Sequence, residues 1–204
     1  MSTMYEAMKR RHSVRTYDPN FQLSEEQLLI LLEEATTAPS SSNLQPWRFI
    51  VFHSESAKRA LRPIANDQRQ VEEASAVIAI VGNRKMYEQV ERIQAQNVAE
   101  GHLNEQQKEM MIQSTMRTYP YASPERLAQI ASLDCGLIAM QLMLLATDKG
   151  YATVPMGGFD HEQFHETYGL ESHEYPELLI AIGKEVGTAY GSSRLPAHTL
   201  TTFL

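Results

Sequence analysis

The sequence has almost no cysteine: a single thiol, Cys135, stands among 204 residues. An intrachain disulfide is therefore excluded, and stability must come from a packed core, as suits a reducing compartment. No apolar run approaches the roughly 20 residues that a bilayer crossing takes. The stretch from Met1 to Arg11 lacks the apolar centre of a secretion signal. These absences lead us to expect a cytoplasmic protein without a membrane partner. Positive charge is also in short supply. Eighteen Lys and Arg face 25 Asp and Glu, a net charge of −7, with a pI near 5.5. A nucleic-acid backbone needs a basic surface, so nucleic acid is not the expected partner. An anionic ligand would need a local cluster of cations set against the overall sign. There is no internal repeat and no low-complexity linker.

What is present is enough for a core. Hydrophobic residues make up 43% of the chain, which suits one compact α/β or α+β domain over residues 1–204. The first helix is expected from about Thr3 to Arg11. Ser24 and Gln27 form a capping-box pattern, in which each side chain satisfies a free backbone N–H at a helix start. The helix that follows carries Leu28 to Leu32 and Ala35, apolar almost all round, and is expected to be buried and to end before Pro39. Strands are expected over Trp47–Phe52, Ala76–Val81, Val154–Met156 and Glu177–Ile182. Residues 85–118 read as two exposed helices. Ser123-Pro124 reads as an N-cap with Pro at the first helical position, opening a long helix that runs to Lys149 and stops at Gly150. On it Ile130, Leu133, Leu137, Met140 and Leu144 fall on one stripe. A helix of that length, apolar on several sides, is a candidate dimer interface. Asp160 should cap a short helix that Gly169 stops, and the tail from Gly187 to Leu204 should be extended. The methionines read as core filler, and Cys135 as an inert core thiol.

Three segments offer chemistry. Arg11-His12-Ser13-Val14-Arg15 puts cations and a hydroxyl beside backbone N–H groups, as a phosphate and a polar ring edge require. Alone, it equally describes a solvated basic helix end. Pro39-Ser40-Ser41-Ser42-Asn43-Leu44-Gln45-Pro46-Trp47 presents hydroxyls and two amides on a loop held by prolines, and an amide can read a flat heterocycle with its donor and acceptor. Alone, it is an ordinary helix-to-strand connection. Pro155-Met156-Gly157-Gly158-Phe159-Asp160 leaves the main chain bare, so a backbone N–H can approach a ligand closely. Alone, it is a tight turn into a capped helix.

Taken in order, and followed by Arg194-Leu195-Pro196, these segments resemble the FMN-dependent nitroreductase family from Tyr5 to Pro196. The resemblance implies an α+β fold, with helices around a small mixed, mainly antiparallel sheet, assembled as a homodimer with FMN at the subunit interface. It implies that Arg11, His12, Ser13 and Arg194 lie at the FMN phosphate and ribityl chain. Arg15 would lie near the pyrimidine end, and Gln70 would read the polar edge of the ring. Pro39, Ser40, Ser41, Asn43 and Gln45 would come from the partner subunit. Pro155, Met156, Gly157 and Gly158 would line the ring, with a backbone N–H near its N5. Where that family often has Lys two places before the arginine, this chain has Ser192; where Asn is common near the pyrimidine, it has Asp67. The implied activity is ping-pong hydride transfer from NADH or NADPH through FMN to nitro compounds, quinones or similar electron-poor molecules. The cofactor carries the redox step, so no catalytic side chain is implied.

Two alternatives stay open at this level. His161-Glu162-Gln163-Phe164-His165 matches a zinc-hydrolase pattern, with His at i and i+4 on one helix face, Glu as general base and Glu185 as a third ligand. The chain could also be a flavin-binding module with little turnover.

Overall fold

The computed structural model describes residues 3–204. Among the described residues, eight α-helices flank one sheet. The helices are α1 (Met4–Arg10), α2 (Glu25–Ala35), α3 (Glu55–Ile64), α4 (Gln70–Glu73), α5 (Val90–Ala99), α6 (Glu105–Thr118), α7 (Pro124–Asp148) and α8 (His161–Thr167). The strands are β1 (Trp47–Phe52), β2 (Ala76–Asn83), β3 (Ala152–Met156) and β4 (Glu174–Gly183), in the order β1-β2-β4-β3. All three pairings are antiparallel. The sheet is the mainly antiparallel one expected: among the described residues, parallel pairing is confined to an isolated bridge between Ser13 and Thr153. That bridge exists because the segment after α1 runs along β3 rather than entering the sheet.

The sheet is buried on both faces, and the strand alternation assigns its side chains. Ala76, Ile78 and Ile80 of β2, with Ile180 and Ile182 of β4, pack under α2 and α7. Val77, Ala79 and Val81, with Leu179 and Ala181, pack against Phe52, Leu61, Ile64 and Phe164 on the other face. At the end of β4 the backbone is closely approached. A Cβ on Gly183 would stand 2.9 Å from Tyr17 Cδ1 and 3.2 Å from the Ser75 backbone nitrogen, which leaves room for glycine alone.

The helix starts follow their caps. Thr3, Ser24 and Asn104 each form a capping box, with Glu6, Gln27 and Gln107 respectively. Ser123 accepts from the Arg126 N–H ahead of Pro124. Gly150 and Gly169 take positive φ values of 83° and 60° where α7 and α8 stop. The helix α3 had no counterpart among the expected elements. Its signal is Ser54, which accepts from the Ala57 N–H, followed by Leu61 and Ile64 on the buried side.

Three expectations about burial are corrected. In α2, Leu29 (66% exposed) and Ile30 (44%) face outward, because a helix lying on a sheet buries only one stripe. Met4, Met8, Met110, Met111, Met116 and Met140 are exposed rather than core filler. By length and composition α7 could cross a bilayer, contrary to the count of apolar runs. Its packing is that of a core helix, with Cys135, Ile138 and Leu142 against the sheet and a buried Asp134 in its middle. The stripe expected on α7 is real but points away from the core. Leu133 (63%), Leu137 (40%) and Met140 (40%) are exposed there. Burial pushes the Cys135 thiol well above its ordinary range, which keeps it protonated and inert.

Candidate functional site

After α1 the chain runs in extended form past β3 to the end of β4. The Val14 N–H donates to the Thr153 carbonyl at 3.1 Å. Tyr17 is bridged to Glu185 beyond the end of β4. Val14 and Tyr17 point into the core, so Arg11 and Ser13 are left half-buried beside a cleft of about 1110 Å³. The cleft is lined by Arg11, His12, Ser13, Pro155, Ser192 and Arg194, with Met140 and Met143 of α7 also on its wall. Segments from the two ends of the chain are thereby joined. Arg15 shares a smaller neighbouring hollow with Ser13, Glu185 and Tyr190.

His12 is already engaged. Its Nδ1 lies 2.7 Å from the Arg10 carbonyl, and its Nε2 lies 3.1 Å from both Glu185 oxygens. Both nitrogens face acceptors, which favours the imidazolium form. The hydrogen bond to Glu185 is the largest cause raising the His12 pKa above 6.5. A raised folded value means that this pair stabilises the fold fully below about pH 6.5, and that the contribution is lost as pH rises through the raised value. We expect Glu185→Gln to bring the His12 titration back toward 6.5. An NMR pH titration of the imidazole checks this, and an unshifted midpoint would refute the pairing.

The second segment is strained and anchored. Ser42, Asn43 and Gln45 take φ values of 51°, 55° and 47°, each costing on the order of 1–3 kcal/mol unless the surroundings enforce it. The enforcement is visible. The Ser41 N–H and hydroxyl both donate to the Asp134 carboxylate, at 2.9 and 3.1 Å. The Gln45 N–H donates to Ser40 Oγ at 3.0 Å, and Gln45 Nε2 lies 3.3 Å from Asn43 Oδ1. This loop does not line the large cleft of its own chain. Pro39 instead lines a hollow of about 540 Å³ with Met4, Ala7, Leu137, Met140 and Leu144. Asp134 was missed as a supporting residue, and an acid in the middle of an apolar helix was the signal available.

The third segment is held from its flanks. Met156 is buried. Gln70 Nε2 lies 2.8 Å from Gln68 Oε1 and 3.5 Å from Met156 Sδ, so Gln70 packs beneath the segment. Asn66 Nδ2 and Gln68 Nε2 both donate to the Gly158 carbonyl, at 2.9 and 3.0 Å. Neither was singled out from the sequence, although both neighbour Gln70. Asp67 turns away, 3.8 Å from Arg62 Nε. Gly157 and Gly158 are exposed and have no positive φ. A Cβ at Gly157 would meet nothing within 4 Å, and one at Gly158 only the Asn66 amide at 4.0 Å. Neither fold strain nor crowding within this chain accounts for the pair, whereas a flat ligand lying over the backbone would.

Arg194 lies on an exposed tail. Its Nη1 donates to the Ser192 carbonyl and hydroxyl, at 3.3 and 2.7 Å, and to the Ser193 carbonyl at 2.9 Å. The tail is extended except for a turn at Ala197–Thr199. Leu195 (71%), Leu200 (70%) and Phe203 (93%) are exposed along it.

The zinc reading is not supported. His161 Nδ1 lies 2.8 Å from the Pro176 carbonyl and Nε2 lies 3.3 Å from the Gly157 carbonyl. His165 Nε2 lies 3.1 Å from the Glu171 carbonyl, and Glu185 is paired with His12. Among the described residues no three His, Cys, Asp or Glu side chains gather as a metal set would require.

Comparisons with known proteins place the chain in a family. The model of the Nitroreductase family matches residues 8–184. The Bacillus subtilis protein YodC, which carries an NAD(P)H nitroreductase name, is 40% identical over 204 residues, covering 100% of both chains. The CLA biosynthesis enone reductase of Lactiplantibacillus plantarum is 32% identical, covering 98% of this chain and 93% of its own. A crystal structure from Exiguobacterium sibiricum, described as a nitroreductase in complex with FMN, superposes with a TM-score of 0.96 at 40% identity, covering 100% of this chain and 98% of that one.

Proposed function

Because the chain belongs to the nitroreductase family, we propose that it is an FMN-dependent oxidoreductase that takes electrons from NAD(P)H and passes them to small electron-poor acceptors. The observation that carries this reading is the cleft itself. Arg11, Ser13 and Arg194 border it, and Pro155 leads from it into two exposed glycines, where among the described residues only the Asn66 amide comes as near as 4.0 Å to a built Cβ. Cations suit a phosphate, and bare backbone suits a flat ring. FMN, when bound, supplies the hydride-accepting and hydride-donating chemistry. Arg11, Ser13 and Arg194 hold its phosphate and ribityl chain, while Pro155, Met156, Gly157 and Gly158 line its ring. Arg15 places a cation at the pyrimidine end, which favours negative charge there. His12 contributes through its pair with Glu185, which neutralises a carboxylate beside the phosphate region.

The site is completed by a second copy of the chain. Pro39, Ser40, Ser41, Asn43 and Gln45 of the partner subunit approach the ring across the open face of α7. The strain in that loop is stored for a purpose outside its own chain. One pocket serves NAD(P)H and acceptor in turn, which makes the kinetics ping-pong.

The test is an absorbance spectrum of the purified protein. We expect bound flavin, bleaching by NADH or NADPH under anaerobic conditions, and recovery on adding a quinone or nitroaromatic. A protein that takes up no FMN would sink the proposal; bound FMN that no NAD(P)H reduces would leave only a binding module.

A further inference from the structure

Asp134 stands in the middle of α7 and is only 1% exposed. A carboxylate taken out of water is costly unless cations or several donors receive it. Among the described residues no cation pairs with it. Its partners are the Ser41 N–H and the Ser41 hydroxyl, at 2.9 and 3.1 Å. An apolar side chain would fill this place in α7 at lower cost, so the acid serves the loop rather than the helix. The loop needs a clamp. Ser42, Asn43 and Gln45 all sit at positive φ, a conformation that residues other than glycine leave when released. The far side of the loop is held as well: Ser42 Oγ lies 2.9 Å from the Tyr119 hydroxyl, and Leu44 is buried with Met86, Val90, Leu127 and Ala131. Ser42 and Asn43 are nonetheless exposed. On α7, Leu133 and Leu137 beside Asp134 face outward. One helix thus carries the open apolar stripe on one side and the grip on the loop on another.

We propose that Asp134 is a positioning residue that acts on the partner subunit's FMN site, not on the site of its own chain, by holding the 39–45 loop in its strained conformation through Ser41. The inference rests on the FMN reading and the shared site above. A loop released from Asp134 relaxes at its positive-φ residues. FMN binding in the partner subunit then has to restore the conformation, which weakens binding. Anchoring the loop to the middle of a 25-residue helix fixes its place relative to the surface that meets the partner. The chemistry of the clamp sorts the substitutions. Asn keeps both contacts, since its amide oxygen accepts from the Ser41 N–H and its NH2 donates to the Ser41 hydroxyl, which accepts as readily as it donates. Leu fills a similar volume but offers no acceptor. A need for charge at this position would be met by neither, and a need for bulk by both.

The experiment measures FMN dissociation constants by flavin fluorescence for the wild type, Asp134→Leu, Asp134→Asn and Arg11→Ala. It then measures a mixed dimer of an Asp134→Leu chain with an Arg11→Ala chain, isolated through two different tags. In homodimers Asp134→Leu should raise the dissociation constant by about tenfold to 100-fold, and Asp134→Asn by far less. The mixed dimer separates positioning from a structural role. With Asp134 serving the partner's site, both lesions fall in one site. The other site, built from an unaltered Arg11 and an unaltered loop, keeps the wild-type dissociation constant, so half of the sites are normal. With Asp134 serving its own chain, each site carries one lesion and none is normal, which overturns the proposal. An Asp134→Leu homodimer that binds FMN as the wild type does, or an Asp134→Asn loss as large as that of Asp134→Leu, also overturns it. Should Asp134→Leu fail to fold, Asp134→Ala replaces it. Should both fail, amide exchange in the wild type decides: a Ser41 N–H that exchanges as fast as an unbonded amide overturns the clamp, and protection that deepens on FMN binding supports it. A wild type that binds no FMN, or an Arg11→Ala variant that keeps it, overturns the underlying site reading, and the proposal falls with it.

Discussion

Replacing Leu137 with Asp is expected to leave the chain monomeric and strip it of FMN. Leu137 stands on the outer stripe of α7 with Leu133 and Met140, beside Met4 and Met8 of α1, all of them exposed. It also lines the hollow that holds Pro39. An apolar surface of this kind is seldom left to water in a stable monomer. A carboxylate buried there without a partner costs about 3–5 kcal/mol, which raises a dimer dissociation constant by more than ~100-fold. On the proposed arrangement, in which the 39–45 loop reaches the ring from the partner subunit, loss of FMN should accompany loss of the dimer. Sedimentation and the flavin absorbance of the same sample measure both. A variant that remains dimeric, or a wild type that is monomeric yet holds FMN, would refute the shared site. Leu137 faces outward, so the fold of the monomer should be spared.

Arg194→Ala is expected to weaken FMN binding without touching stability. A charge-assisted hydrogen bond to a phosphate is worth roughly 1.5–3 kcal/mol, so the dissociation constant should rise by about tenfold to 150-fold. The structure makes this clean to read. Among the described residues the guanidinium bonds to Ser192 and Ser193 of its own exposed tail, so its removal takes nothing from the core. Flavin fluorescence gives the affinity and a thermal melt gives the control. An unchanged dissociation constant would remove Arg194 from the phosphate site.

Much of this architecture was legible in the sequence. Ser24 with Gln27, and Ser123 with Pro124, announce their helices because capping involves residues within four positions of one another. The strand over Ala76–Val81 is apolar throughout because both its faces are buried, and the structure extends it by two residues at the polar Gly82 and Asn83. The candidate segments were legible as an ordered set. Arg11, Ser13, Pro155 and Arg194 do meet at one cleft. Other features were not legible. Helix α3 escaped because its charged residues mask two buried apolar ones, Leu61 and Ile64, and its Lys58 is buried against the Ala74 carbonyl. The grips on Gly158 by Asn66 and Gln68 span about ninety residues of chain, and no local pattern encodes such a pairing.

The sequence by itself determined most of the helix caps, the apolar centres of the strands, and the family to which the order of its motifs belongs, since these depend on neighbours in the chain. Only the tertiary structure decided which way α7 faces. With apolar residues on several sides, its periodicity could not say that Ile138 and Leu142 meet the sheet while Leu137 and Met140 stay open. The same holds for His161. Its spacing to His165 suggested a metal, but its ring nitrogens are committed to the carbonyls of Gly157 and Pro176. What an imidazole does depends on the acceptors that folding brings to it, and that is a property of the packed chain.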